Sequence, residues 1–142
     1  MTCRFARQFS NPPLLDRALD VLLELSDSLI TYRKRYVMIA SRTPAVDLVV
    51  LDPFNPRSVA YQVERIDTHL AGVPPYLGDG MLSPPQKVAL ALATKLRTAN
   101  VTTIDDEAIA AFEADLMQLS ELVASTYFLQ SEDLEARREA LG

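Results

Sequence analysis

The chain is poor in the residues on which much familiar chemistry depends. Cys3 is the single cysteine among 142 residues, which excludes an intramolecular disulfide and a cysteine-rich metal site and fits a reducing compartment. Four glycines, none in a G-x-G-x-x-G or Walker arrangement, leave no familiar way to cradle nucleotide phosphates, and no cofactor is expected. His69 is the sole histidine. No G-x-S-x-G elbow accompanies it, so a Ser-His-Asp triad lacks its nucleophile context. His-x-x-x-His and Glu-x-x-His spacings are absent, and Asp105, Asp106 and Glu107 read as favourable charges at a helix N-terminus, so no metal is expected. No apolar run approaches the roughly 20 residues that cross a bilayer, and the opening MTCRFARQFSNPP lacks the apolar core of a secretory signal. A cytoplasmic protein is expected, with no membrane partner. Basic charge is also scarce: 14 basic side chains against 19 carboxylates, a formal charge of -5, disfavour general attraction to nucleic acid.

What is there is ordinary globular material, 49% apolar and 23% charged, over a length suited to one domain, 1–142. Between Leu14 and Tyr36 the apolar positions Leu15, Ala18, Leu22, Leu25, Leu29, Tyr32 and Tyr36 recur three and four apart, predicting one long amphipathic helix. A short helix is predicted from Thr43 and Pro44 through AVDLVVL, with a strand as the rival for so short an apolar run. In LDPFNPRSVAYQ, 51–62, Asn55 as cap, Pro56 at the first helical position and the stripe Val59, Val63, Ile66 and Leu70 predict a third helix, ended by Gly72. VPPYLGDG, 73–80, reads as an exposed loop. Ser83 and Gln86 form a capping box opening a fourth helix, Val88 to Leu96. Thr103 with Asp106 opens a fifth, whose stripe is Ile109, Phe112, Leu116, Leu119, Val123 and Tyr127. Residues 131–142 read as a charged tail, frayed or ending in a short helix. Five helices, short connections and no hairpin signals predict an all-α, antiparallel helical bundle.

On a 100° wheel Arg33 falls in the sector of Leu15, Leu22 and Leu29, so its stem is expected over the core with Asp47 or Asp52 as its partner. Two readings compete at the start of the third helix. Either Arg57 and Ser58, with Arg33 or Arg35 nearby, receive an anion at free backbone N–H groups, or Asn55 satisfies those groups itself and Arg57 is solvated. Ser58, Gln62, Arg65 and His69 share one polar flank, facing solvent or another chain. Tyr32, Tyr36, Phe112 and Tyr127 lie on helix stripes and are expected in the core.

LLELSDSLITYRKRY, followed by VDLVVLDPFNPRSVAYQVERIDTHL, resembles the C-terminal part of the bacterial alpha-E domain family, helical domains of unknown biochemical function, and LSELVASTYFL at 119–129 resembles that family's final helix. The resemblance places hallmark positions at Asp27, Tyr32, Arg33, Arg35 and Tyr36, and at Asp47, Asp52, Asn55, Pro56, Arg57, Ser58 and Gln62. Members of that family are typically larger, with a further N-terminal helical half, so the resemblance implies an apolar face left uncovered here and a homodimer formed through it. Proteins of this type resemble components of gene clusters encoding circularly permuted ATP-grasp ligases and transglutaminase-like proteins. The implied partner is one of these, and the implied role is accessory to a peptide-ligase or peptide-modification system.

Three functional classes follow. The first is a non-catalytic interaction module whose 27–36 and 52–62 segments form a paired-charge corner that docks a ligase partner or binds its acidic substrate. The second is an enzyme, or half of one, in which Arg33, Arg57 and Asp52 line a cleft for an aminoacyl or peptidyl carboxylate. The third is a structural homodimer. A dry, fully paired corner favours the first, and a cleft of convergent polar side chains favours the second.

Overall fold

The computed structural model describes residue 3, residues 15–36, 40–73 and 80–128, and residue 140. The 131–142 tail, apart from residue 140, and residues 74–79 of the loop at 73–80 lie outside the described residues. Among the described residues six α-helices follow one another: α1 Leu15–Leu25, α2 Leu29–Arg35, α3 Arg42–Val46, α4 Val59–Ala71, α5 Pro84–Thr98 and α6 Asp106–Val123. Among the described residues there is no strand, and the fold is all-α. The 44–51 run is helical, since α3 continues through Asp47–Leu51 in a wider turn, with the Asp52 N–H donating to the Asp47 carbonyl five residues back at 2.8 Å.

The helix count exceeds five because the expected first helix is two. Asp27 sits at φ 51°, in the left-handed region. The Ser28 N–H donates to the Leu23 carbonyl at 2.7 Å and the Asp27 N–H to the Glu24 carbonyl at 3.0 Å, the paired bonds of a Schellman helix end. Aspartate tolerates this conformation better than most residues with a Cβ, which lets it stand where glycine usually does. The break changes the phase of the apolar stripe. Leu19, Leu22 and Leu23 of α1 are buried while Leu25 is 54% exposed, and Tyr32 of α2 is buried.

Two further helix starts move. Ser58, three residues beyond Asn55, caps α4 by accepting from the Tyr61 N–H. Asp105 caps α6 by accepting from Ala108 at 2.8 Å, while the Thr103 hydroxyl turns back to the Asn100 carbonyl. At α5 the capping box stands as read, Ser83 Oγ accepting from the Gln86 N–H and Gln86 Oε1 from the Ser83 N–H. Gln86 Nε2 also donates to the Leu70 carbonyl at 2.7 Å, tying the start of α5 to the end of α4.

The long helices pack in sequence order, α4 against α5 and α5 against α6, with the wide turn after α3 against α4. Tyr32, Val46, Leu48, Val49, Val50, Val63, Leu92, Leu96, Ile109 and Phe112 meet in the main core. Leu70, Ala89 and Leu119 form a smaller one, against which Ile66, Val123 and Tyr127 pack. Tyr36, Leu116 and Tyr127 are partly buried on the stripes where periodicity set them. Burial of the apolar faces drives this arrangement at about 25 cal/mol per Å² of apolar surface removed from water.

Candidate functional site: the corner between the α1–α2 turn and the 52–58 loop

The α1–α2 turn and the loop DPFNPRS meet at one corner, and the loop's polar groups are spent on holding it. Asn55 is buried and its side chain makes three bonds. Its Nδ2 donates to Ser28 Oγ at 3.1 Å and to the Leu48 carbonyl at 2.8 Å, and its Oδ1 accepts from the Arg57 N–H at 3.2 Å. Ser58, also buried, donates its hydroxyl to the Asp52 carbonyl at 2.5 Å while capping α4. Asp52 accepts from the Phe54 N–H at 2.8 Å through Oδ1, and Arg35 Nη1 donates to its other oxygen. A buried carboxylate is tolerable on these terms, because a cation and a backbone donor replace its water.

Arg35 therefore takes the role expected of Arg33. The Asp27 break turns α2 out of phase with α1, so Arg33 is exposed and Arg35 reaches Asp52. The guanidinium of Arg35 is held above its ordinary pKa, first by its bond to Asp52. Asp47 lies beside this pair and its carboxyl is pushed above the ordinary carboxylate range, chiefly by burial and then by the charge of Asp52. Arg35 and a hydrogen bond to Tyr36 act in the opposite direction. Tyr32, behind them, packs its ring against Tyr36 with centroids 5.1 Å apart, and its hydroxyl accepts from the Ser41 N–H at 3.1 Å.

Outside this ring lies a second ion pair, Arg57 Nη2 to Asp27 Oδ2 at 3.2 Å, with the side chains 62% and 69% exposed. Gln62 turns back to the Pro56 carbonyl at 2.6 Å. The structure thus gathers Asp27, Arg35, Tyr36, Asp47, Asp52, Asn55, Arg57, Ser58 and Gln62 about one corner and leaves Arg33 outside it. Arg33, Arg57 and Asp52 do not line one cleft. Arg57 borders a groove of about 370 Å³ between α4 and α6 that neither of the other two lines.

Two features escaped the sequence reading. Phe54, at the loop's tip, is 84% exposed although Asp52, which accepts from its N–H, and the next residue, Asn55, are both buried. The residue was legible in DPFNPRS, but its outward direction follows from bonds made by other residues. The groove is lined by Cys3 and, across from one another, by Val59, Gln62, Val63 and Ile66 of α4 and Glu113, Leu116, Met117 and Ser120 of α6. Each set has helical spacing, but no single-helix pattern shows that the two faces stand apart. Among the described residues, no cluster of His, Cys, Asp and Glu could hold a metal ion and no helix is long and apolar enough to cross a membrane.

Comparison with known proteins agrees with the helical architecture. Two uncharacterised mycobacterial proteins, from Mycobacterium bovis and Mycobacterium tuberculosis, are each 27% identical to this chain over 109 residues, 77% of the chain and 12% of the relative. The chain thus spans about 12% of the length of these relatives. No solved structure matches it. A family described as a predicted alpha-helical domain with a conserved ER motif matches residues 1–128. The chain's one Glu-Arg dipeptide is Glu64–Arg65 on α4, where Glu64 accepts from Arg97 of α5 at 2.9 Å. With nearly the whole chain matched, this protein belongs to the Alpha-E family.

Proposed function

We propose that this domain is a non-catalytic interaction module of a bacterial, ATP-grasp-associated peptide-modification system, and that the corner docks the ligase partner. The observation that carries the reading is the exposure of Phe54 on a loop whose backbone is pinned on both sides by buried Asp52, Asn55 and Ser58. A rigid aromatic side chain loses little conformational freedom on docking, and aromatic anchors of this kind carry much of the binding energy of protein interfaces. Asp27 and Arg57, exposed beside it, supply a polar rim. The paired corner supports docking over catalysis. Asp52 and Arg35 already satisfy one another, and using Arg35 on a substrate would leave the buried Asp52 carboxylate without its cation.

Co-expression with the circularly permuted ATP-grasp protein of the same genome tests this reading. The native chain co-elutes with that protein on gel filtration, and Phe54→Ser, with an unchanged melting temperature, does not. Separate elution of the native chain overturns it.

A further inference from the structure

The outer face of α1 carries an apolar stripe into water, and the docking reading does not use it. On a 100° wheel Arg17, Ala18, Glu24 and Leu25 fall within about 60° of Val21, while the buried Leu19, Leu22, Leu23 and Ser26 lie about 100° or more away. Val21 is 47% and Leu25 54% exposed, and Ala18 is half-buried. Ala18, Val21 and Leu25 thus run down the side turned from the core, three and four residues apart, the spacing of a seam between two helices.

Arg17 and Glu24 flank that stripe on one side, two turns apart and so about 10 Å from one another along the axis. Both are exposed, and among the described residues neither forms an ion pair. Each also stands at the end of α1 that its charge suits least, Arg17 in the first turn and Glu24 in the last, against the helix dipole. Asp20 lies about 100° from Val21, further round the exposed side.

We infer that this face pairs with the same face of a second copy of the chain, the two α1 helices antiparallel about a two-fold axis at Val21. Antiparallel pairing about that point sets the small Ala18 against the partner's Leu25, Val21 against the partner's Val21, and Arg17 against the partner's Glu24. Each guanidinium then gains a carboxylate, twice over by symmetry. Each helix end also receives the charge its dipole favours, Glu24 of the partner subunit near the N-terminus and Arg17 of the partner subunit near the C-terminus. A parallel pair would instead set like charges level with one another. The face complements itself under a two-fold rotation, and that self-complementarity selects a second copy as its occupant. A contact confined to about three turns of one helix buries little area, so the dimer is a weak one.

Sedimentation equilibrium of the full chain, taken up to half-millimolar concentration, tests this. The native chain is expected to dimerise with a Kd of about 50 µM. Val21→Lys, at an exposed position, keeps the native melting temperature and stays monomeric. Arg17→Glu and Glu24→Arg each place two like-charged pairs across the axis and weaken the dimer about tenfold. The double variant Arg17→Glu/Glu24→Arg restores opposite charges and returns to within about threefold of the native Kd, a recovery that neither a damaged fold nor another interface can produce. A native chain that stays monomeric throughout, a dimer that survives Val21→Lys, or a double variant no tighter than the single ones overturns the assignment.

Discussion

The amide of Asn55 donates to the hydroxyl of Ser28 across 27 residues of chain, at 3.1 Å and with both side chains buried. This bond joins the loop carrying Phe54 to the turn between α1 and α2, and the same amide group reaches the Leu48 carbonyl in the buried wide turn after α3. Asn55→Ala removes both donors, taking from the buried Leu48 carbonyl its bond to the amide and leaving the Ser28 hydroxyl with its bond to the Ser26 carbonyl. The expected loss is about 2–3 kcal/mol of folding stability, measured by urea unfolding.

Asp27 separates conformation from charge. Its φ of 51° is tolerated by asparagine and resisted by β-branched residues. Asp27→Asn is therefore expected to stay within about 0.5 kcal/mol of the native chain, because the exposed pair with Arg57 contributes little. Asp27→Val is expected to lose about 1–2 kcal/mol. Chemical denaturation of the two variants side by side checks this.

How far the sequence reveals the fold shows at these positions. The α5 capping box and the α6 stripe were legible because each is decided by residues within a turn or two of one another. The α1–α2 break was not, since the sequence LSDSL offers no glycine or proline. Its signal was the short polar run itself, where the hydroxyls of Ser26 and Ser28 bond to backbone carbonyls at 2.9 and 3.0 Å. That one missed break misassigned Arg33, because a wheel carried through it gives the wrong face. In DPFNPRS both Asn55 and Ser58 are competent caps, and the choice falls to Ser58 once Asn55 has Ser28 and Leu48 as partners. Such long-range bonds leave no local trace. Most of the candidate corner was nevertheless readable residue by residue.

Asp47 gives a dependence on pH. Its folded-state pKa lies above its unfolded value, because burial and the charge of Asp52 outweigh the help of Arg35 and Tyr36. A carboxyl raised in this way favours the folded state in its protonated form. Its contribution is fully present below the ordinary aspartate pKa and is lost as pH rises through the raised one. Asp47→Asn is expected to be at least as stable as the native chain at pH 7, and its stability should fall less between pH 4 and pH 7. Denaturant midpoints across that range measure the difference.

At the other end of the molecule Gln86 serves two helices, accepting from the Ser83 N–H at 2.7 Å and donating to the Leu70 carbonyl at 2.7 Å. Gln86→Leu keeps the volume and loses both bonds in a buried site. The expected cost is about 2 kcal/mol, with partner binding at the distant corner unchanged. Thermal melting and the co-elution assay together check the two halves of this prediction.

The account rests on the corner being a scaffold that holds Phe54 outward, so stability and binding must separate there. The deciding measurement is the affinity of Phe54→Ser and Asn55→Ala for the ATP-grasp partner, taken beside their melting temperatures. The account predicts that Phe54→Ser melts with the native chain and binds at least tenfold more weakly, while Asn55→Ala loses both stability and affinity. Native affinity in a fully folded Phe54→Ser variant would contradict it.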